Sequence, residues 1–341
     1  MLTIGLIEKI LASIPNRTIG VLGDLFLDRY LDLDAALTES SIETGLDAYQ
    51  VARVRAYPGA AGTVINNLAA LGVGRIVPIS MIGDDGEGYE LRQVLQRMAS
   101  VQLSSLVTCA QRRTPTYTKP MLCRPATMPR ELNRLDIKNR KPLPGDVETE
   151  ILKVLLGAWA SLDVLLILDQ VSEPECGVVT SSVRNRLMEL GENDAGKIAI
   201  VDSRERIGLF RNVWLKPNEC ECLRAAGPPN DLRAAVSSLV QRVGRPVVCT
   251  QSERGMLVGS PAQAEPVEVP AYPVCGAIDT VGAGDSSSAA MACALASGAN
   301  LVEAAAFGNL VASITIQQIG TTGTATPEQV RMATRGLALA E

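Results

Sequence analysis

Asp279-Thr280-Val281-Gly282-Ala283-Gly284-Asp285 lies between an extended run, Val267 to Ile278, and a small-residue helix expected over Ser286 to Ser297. Strand, Gly-rich turn and helix start, in that order, gather backbone N–H groups around a phosphate. Two carboxylates bracket the turn, and the second falls where the helix begins. A carboxylate beside an anion cradle does nothing for phosphate binding and repels it. It has a use if it takes a proton from a hydroxyl that attacks the phosphate. As plain structure the two acids would be caps, but two glycines around an alanine exceed what capping needs. The turn holds no Lys or Arg. Charge on a transferring group therefore falls to backbone N–H groups, the helix dipole and a metal. The Walker pattern G-x-x-x-x-G-K-[ST] is absent.

Among 341 residues there is no histidine. That excludes Ser-His-Asp and Cys-His catalysis, His-ligated metals and His relays. The general base must be Asp, Glu, Lys, Tyr or Cys. The length suits one large α/β domain or two smaller ones. Hydrophobic residues make up 47% but aromatics only 3%, so Ala, Val, Leu and Ile must fill the core. A net charge of −5 argues against nucleic acid as the main partner. The eight cysteines form no C-x-x-C pair and read as small buried thiols of a reducing cytoplasm. Met1 to Ser13 reads as an amphipathic docking helix rather than a signal peptide. No run reaches the ~20 apolar residues of a membrane span. A cytoplasmic protein without a membrane partner is expected.

Thr18 to Asp24 is a short apolar run ending in Gly-Asp, which predicts a buried first strand with Asp24 at its C-terminal tip. In open α/β sheets that tip faces the ligand crevice. Residues 32–57 read as strands of an exposed flap, and Gly59 to Gly72 as a Gly-rich start to a helix with a Gly stop. A strand follows at Arg75 to Met81, a helix at Glu87 to Ser100 and extended chain at Thr114 to Leu122; Pro125 to Pro144 is loop or more flap. Then comes a regular rhythm: helix 147–160, strand 163–168, helix 175–191, strand 197–201, strand 213–215, helix 218–226, helix 230–243 and strand 246–250. Such alternation implies a parallel sheet with crossover helices. Helices 301–318 and 327–340 close the chain.

Several residues have two readings. Asn218 and Glu221, three apart, form a capping-box pattern, or Glu221 holds hydrated Mg²⁺ through water. Asp24 and Asp28 could hydrogen-bond sugar hydroxyls. Thr250 and Ser252 end a strand, as a polar turn or as phosphate contacts. Asn309, within an apolar stripe, is a satisfied buried amide or a ligand contact.

Taken together these features resemble the ribokinase-like, PfkB carbohydrate kinases. Asp279 to Asp285 is similar to that family's C-terminal signature, and Pro58 to Gly62 with Asn67 to Gly72 resembles its N-terminal signature. Lys216-Pro-Asn-Glu-Cys-Glu221 matches its N-x-x-E element. Gly23 to Tyr30, Thr250 to Met256 and Gly320 to Gly323 are most similar to the kinase half of the bifunctional heptose kinase/adenylyltransferases; nothing after it resembles the adenylyltransferase half.

The resemblance implies one ribokinase-like α/β kinase domain over 1–341. Its central, mostly parallel sheet is flanked by helices, with a small β-sheet lid from 32–57 and 114–138. It implies ATP-dependent transfer to a sugar or sugar phosphate, heptose 7-phosphate-like. The alternatives are a kinase of an unphosphorylated sugar or nucleoside, or a non-catalytic pseudokinase. Asp285 is then the base, and Gly282, Ala283 and Gly284 the anion hole. Asn218 and Glu221 organise Mg²⁺ and phosphate. Thr250, Ser252, Gly255 and Asn309 lie near the nucleotide, and Asp24, Asp28, Gly59 and Asn67 line the sugar pocket. Asp279 and nearby carbonyls would hold K⁺. A homodimer through the lid is implied too. Two departures stand on the expected sugar side: Ala60 replaces a second glycine and Thr63 an asparagine. Lys119, Arg134 and Arg204 are the candidate cations for a phosphorylated substrate.

Overall fold

The computed structural model describes residues 2–125, 127–228 and 231–338. Ala126 in the expected lid, Asn230 at an expected helix start, and residues 339 and 340 of the last expected helix lie outside them. The elements begin α1 (Ile4–Ser13), β1 (Thr18–Gly23), β2 (Leu25–Ser40), β3 (Asp47–Ala60), α2 (Ala61–Ala70), β4 (Arg75–Gly83) and α3 (Gly86–Gln96). There follow β5 (Leu106–Cys109), β6 (Thr116–Cys123), β7 (Arg130–Glu131), β8 (Leu135–Ile137), α4 (Gly145–Trp159), β9 (Val164–Asp169), α5 (Ser181–Asn193) and β10 (Ile198–Ser203). The chain continues with β11 (Trp214–Leu215), α6 (Glu219–Ala226), α7 (Leu232–Val243), β12 (Val247–Thr250), β13 (Met256–Gly259) and β14 (Val267–Val269). It ends with α8 (Ala283–Ala296), α9 (Leu301–Thr315) and α10 (Pro327–Ala338).

Nine strands form the main sheet, in the order β14-β13-β12-β11-β10-β9-β1-β4-β5. All neighbours from β5 to β12 pair parallel, and only β12-β13 and β13-β14 are antiparallel. Apolar side chains alternate between the two faces, as a strand's period of two requires. In β9, Val164, Leu166 and Leu168 join one core with Ile19, Val64, Ala289, Phe307 and Val330. Leu165 and Ile167 join another with Val147, Val183, Cys222 and Val236. Helices therefore cover both faces.

The second sheet runs β3-β2-β6-β7, with β8 also on β6. The long β2–β3 hairpin is antiparallel, and β2 pairs parallel with β6. Its strands reach further than the expected 32–57: β2 starts at Leu25, one residue after β1, and β3 runs to Ala60. Arg29 at the base of this sheet pairs with Glu90 of α3.

Two expectations change. The extended run to Ile278 stops at Val269, because Pro270 and Pro273 have no N–H for a ladder. The helix expected from residue 175 starts at Ser181; Glu175 has φ 59°, and Thr180 caps by accepting from the Val183 N–H at 3.2 Å. All eight cysteines are free thiols. Cys109, Cys176, Cys222, Cys249 and Cys293 are buried, while Cys220 and Cys275 are exposed.

Ala60, the residue before α2, has φ 54° and ψ −119°, a conformation that suits glycine. Such strain costs about 1–3 kcal/mol, against about 0.5–1 kcal/mol for glycine's extra unfolded freedom. We expect Ala60→Gly to raise unfolding stability by about 1 kcal/mol; a loss of stability in denaturant titration would contradict this account of the position.

Candidate active site

The order of strands reverses at β1, with β4 on one side and β9 on the other. Ligands of open parallel sheets bind at such a switch point, outside the strands' C-terminal ends. A pocket lies there, with about 670 Å³ of space including its open mouth. Asp24, Phe26, Arg112, Tyr117, Gln170 and Arg204 are among its lining residues. Phe26 and Tyr117 come from the second sheet, which forms one wall.

The turn into α8 is linked to it through Arg204, which lines the pocket and whose charge acts on Asp285. Gly282 has φ 81°, which glycine adopts without penalty. The Ala283 N–H donates to the Thr280 carbonyl at 3.1 Å, and the Val281 N–H to Asp279 Oδ1 at 3.1 Å. The N–H groups of Gly282, Gly284 and Asp285 donate to no group among the described residues. Of the three residues expected to form an anion hole, the two glycines thus keep their donors and Ala283 does not. Asp279 Oδ2 accepts from the Gly320 N–H at 3.0 Å, stapling the turn to the loop after α9. Ser286 to Leu295 are all buried, so α8 has no solvent face along that stretch and its first turn is rigidly placed.

Asp285 sits in that first turn. Burial pushes its carboxyl up to about 7; Asp202 adds to the rise, and Lys216 and Arg204 oppose it. Asp202 ends the apolar run of β10, and Lys216 follows β11. Lys216 is buried, with Nζ 2.9 Å from Asp202 Oδ2. Burial works against its charge, yet the Asp202 carboxylate holds its pKa above the ordinary lysine value. Gln170 Nε2 donates to the other Asp202 oxygen at 3.3 Å. Asp202 therefore joins the pocket to the carboxylate–ammonium group. Sequence reasoning gave Asp202 and Lys216 no role. The available signal was a charged residue just beyond or at the end of each of two apolar strands.

The expected site residues divide. Asn218 and Glu221 form the capping box: Glu221 N–H to Asn218 Oδ1 at 2.9 Å, Asn218 N–H to Glu221 Oε2 at 2.8 Å. Burial raises the Glu221 pKa, and Asp202 adds to it, so Glu221 belongs to the same charged group as Lys216. Thr250 bridges to Asn218, its N–H donating to the Pro217 carbonyl at 2.9 Å. Ser252 is exposed with φ 54°. Gly255 and Asn309 meet at the end of β14. A Cβ on Gly255 would lie 2.2 Å from the Val269 carbonyl oxygen. Asn309 Nδ2 donates to the Val269 and Pro270 carbonyls, both at 3.0 Å. Both residues fasten that segment, and the Asn309 amide is satisfied there.

On the other side, Asp28 pairs with Lys119 at 3.3 Å, and a Cβ on Gly59 would touch its carboxylate at 3.0 Å. Arg134 pairs with Asp136 at 2.7 Å. Of the three candidate cations only Arg204 lines the pocket, where Arg112 and Lys138 join it. Asn67 is fully buried within α2, its Nδ2 donating to the Thr63 carbonyl at 3.0 Å and its Oδ1 without a partner among the described residues. Thr63 was expected on the sugar side. A Cβ built on Gly282 would lie 3.6 Å from its methyl, so Thr63 stands against the Gly-rich turn itself. Asp24 is buried; burial pushes its carboxyl up to about 6 against three backbone N–H donors.

Residues 212–329 match the model of the pfkB family carbohydrate kinases. The chain is 29% identical over 323 residues to a bifunctional protein HldE of Bradyrhizobium sp. (strain ORS 278), covering 93% of this chain and 63% of that protein. It is 30% identical over 336 residues to the HldE protein of Caulobacter sp. (strain K31), covering 96% and 65%. The chain thus spans somewhat less than two thirds of these relatives' length. Among solved structures it resembles phosphofructokinase-2 of Escherichia coli in complex with potassium, with a TM-score of 0.68 and 20% identity over 94% of this chain and 99% of that one. It also resembles a ribokinase of Arabidopsis thaliana complexed with ribose and ATP, with a TM-score of 0.65 and 17% identity over 94% and 99%. As its motifs implied, the chain has the ribokinase-like fold and is related to the pfkB family carbohydrate kinases, matching that family's model over residues 212–329 and the HldE proteins along nearly its whole length.

Proposed function

We propose that the protein is an ATP-dependent kinase that phosphorylates a hydroxyl of a sugar or sugar phosphate. The observation that carries this reading is Asp285, its carboxyl pushed up by burial to about 7, in a turn whose Gly282, Gly284 and Asp285 N–H groups have no partner among the described residues. In this reading the acceptor occupies the switch-point pocket, with its hydroxyl between Asp285 and the γ-phosphate. Asp285 takes the hydroxyl proton as that oxygen bonds to phosphorus and the bond to the β–γ bridging oxygen breaks. The turn's N–H groups and the α8 dipole receive the negative charge, and Lys216 supplies a buried positive charge nearby.

Among the described residues no cluster of three His, Cys, Asp or Glu is placed to hold a metal ion. The residues fit a hydrated Mg²⁺ carried by the nucleotide, with Glu221 as a water-mediated partner through the oxygen its cap does not use. Bound there, Mg²⁺ would neutralise phosphate charge. Asp279 keeps a lone pair on each oxygen after its two N–H bonds, enough to help hold K⁺. The second sheet acts as a lid in this reading. The exposed Tyr49, Val51 and Val54 of its β3 edge favour pairing with a second copy. Arg112, Lys138 and Arg204 favour an acceptor that is already phosphorylated, such as heptose 7-phosphate.

A panel of heptose 7-phosphate, fructose 6-phosphate, ribose and a nucleoside, read by ADP release, tests the reading. Acceptor-dependent release with a sugar phosphate is expected. Nucleotide binding with no release for any acceptor would mean a pseudokinase. Asp285→Asn is expected to lower kcat about 10³-fold or more, with the ATP KM within a few-fold; near-normal turnover would remove Asp285 as the base.

The base must be ionised to act, so kcat/KM should fall with decreasing pH through an acid limb centred at about 7. Asp202 contributes to that elevation. Asp202→Asn is therefore expected to move the limb to lower pH in whatever activity remains. A limb unmoved near 4 in the native protein would show that Asp285 does not set the profile.

A further inference from the structure

The carboxylate at the tip of β1 is taken up by backbone before any ligand arrives. Asp24 Oδ1 accepts the Val178 N–H at 2.7 Å. Oδ2 accepts the Gln170 N–H at 3.1 Å and the Val171 N–H at 3.2 Å. These donors begin and end the segment 170–178 that follows β9. A carboxylate offers about four acceptor positions, and three are filled by N–H groups in a side chain that is only 4% exposed. Gly177 is pressed against it, since a Cβ there would lie 2.7 Å from Asp24 Oδ1.

Two guanidinium groups hold the same segment by its carbonyls. Arg206 donates to Ser172 O at 3.1 Å and also to Val171 O, while its Nε meets Asp169 at 3.0 Å. Arg112 donates to Cys176 O at 2.5 Å and to Lys141 O at 2.8 Å. Donors and acceptors of this loop are thus both tied to charged groups, two of them, Asp24 and Arg112, buried. That loop supplies Gln170, Val171, Ser172, Glu173, Cys176 and Gly177 to the pocket wall.

We propose that Asp24 is a positioning residue: it fastens segment 170–178 across the tips of β1 and β9, and so fixes the wall against which the acceptor is held, without bonding to the acceptor itself. This replaces the expectation that Asp24 is a sugar ligand, and it rests on the reading of the pocket as the acceptor site. It also gives Gly177 a reason that needs no ligand, since any larger residue pushes the loop off the carboxylate.

Hydrogen exchange on the whole purified protein, wild type against Asp24→Asn and Gly177→Ala, tests the clamp without any substrate. The Gln170, Val171 and Val178 amides are expected to exchange about tenfold faster or more in both variants. Unchanged protection in either would overturn the proposal. Gly177→Ala leaves the carboxylate in place, so it decides the matter if Asp24→Asn does not fold. With heptose 7-phosphate and ATP, both variants should raise the acceptor KM about tenfold, with kcat and the ATP KM within about threefold. The double variant should be no worse than the worse single one, because both break one linkage. If Gly177→Ala leaves the acceptor KM at the wild-type value while Asp24→Asn abolishes binding, Asp24 is a direct ligand and the proposal fails. If the wild type turns over no heptose 7-phosphate, that acceptor is wrong for the pocket, and the exchange result alone decides the clamp.

Discussion

A buried ammonium has to be balanced where it stands, and Lys216 is balanced by Asp202 at 2.9 Å. Both side chains rise from the C-terminal ends of neighbouring strands β10 and β11, so the pair is held by the register of a parallel sheet. Around it the sheet and α8 bring Asp285, and the start of α6 brings Glu221. Three carboxylates thus face one buried lysine, with Arg204 acting on Asp285 and Arg224 on Glu221 as further positive charges. Burial raises the affinity of both Asp285 and Glu221 for a proton, and the Asp202 carboxylate adds to the rise. The base properties of Asp285 therefore follow first from its burial and then from the opposed charges of Asp202 and Lys216.

Much of this arrangement was legible because it is local. The turn at 279–285 declares itself by spacing, and the strand–helix rhythm from residue 150 onward follows from periods of 2 and 3.6. Boundaries failed where one residue overrides a pattern. Pro270 ends β14 early, and Glu175 in a left-handed conformation delays α5. The Asp202–Lys216 pair joins residues on adjacent strands, and no local pattern announces which strands will be neighbours. Asn309 and Gly255 show a different limit. A polar residue in an apolar stripe and a glycine after a strand look alike in sequence whether they touch a ligand or brace a loop. Both pack against the segment after β14, a contact that either role allows.

The departures from the family pattern also acquire physical content. Ala60 holds a glycine-like backbone conformation at the junction of β3 and α2, so the fold has kept the bend while losing the residue that makes it easy. Thr63, in the first turn of α2, lies near Gly282. A side chain at Gly282 would just reach the Thr63 methyl.

The eight thiols form a graded set of chemical reporters. Cys222, Cys249 and Cys293 are sealed in the core, and burial raises the Cys293 thiol well above its ordinary value; for Cys249 the neighbouring Cys222 thiol and burial do the same. Cys220 and Cys275 are open to water. An alkylating reagent at neutral pH meets the second pair at once and the first three only when the helices part. Cys220 and Cys222 are two residues apart on one short helix. The difference in their labelling rates would time how often that helix lifts from the sheet, with no probe added to the protein.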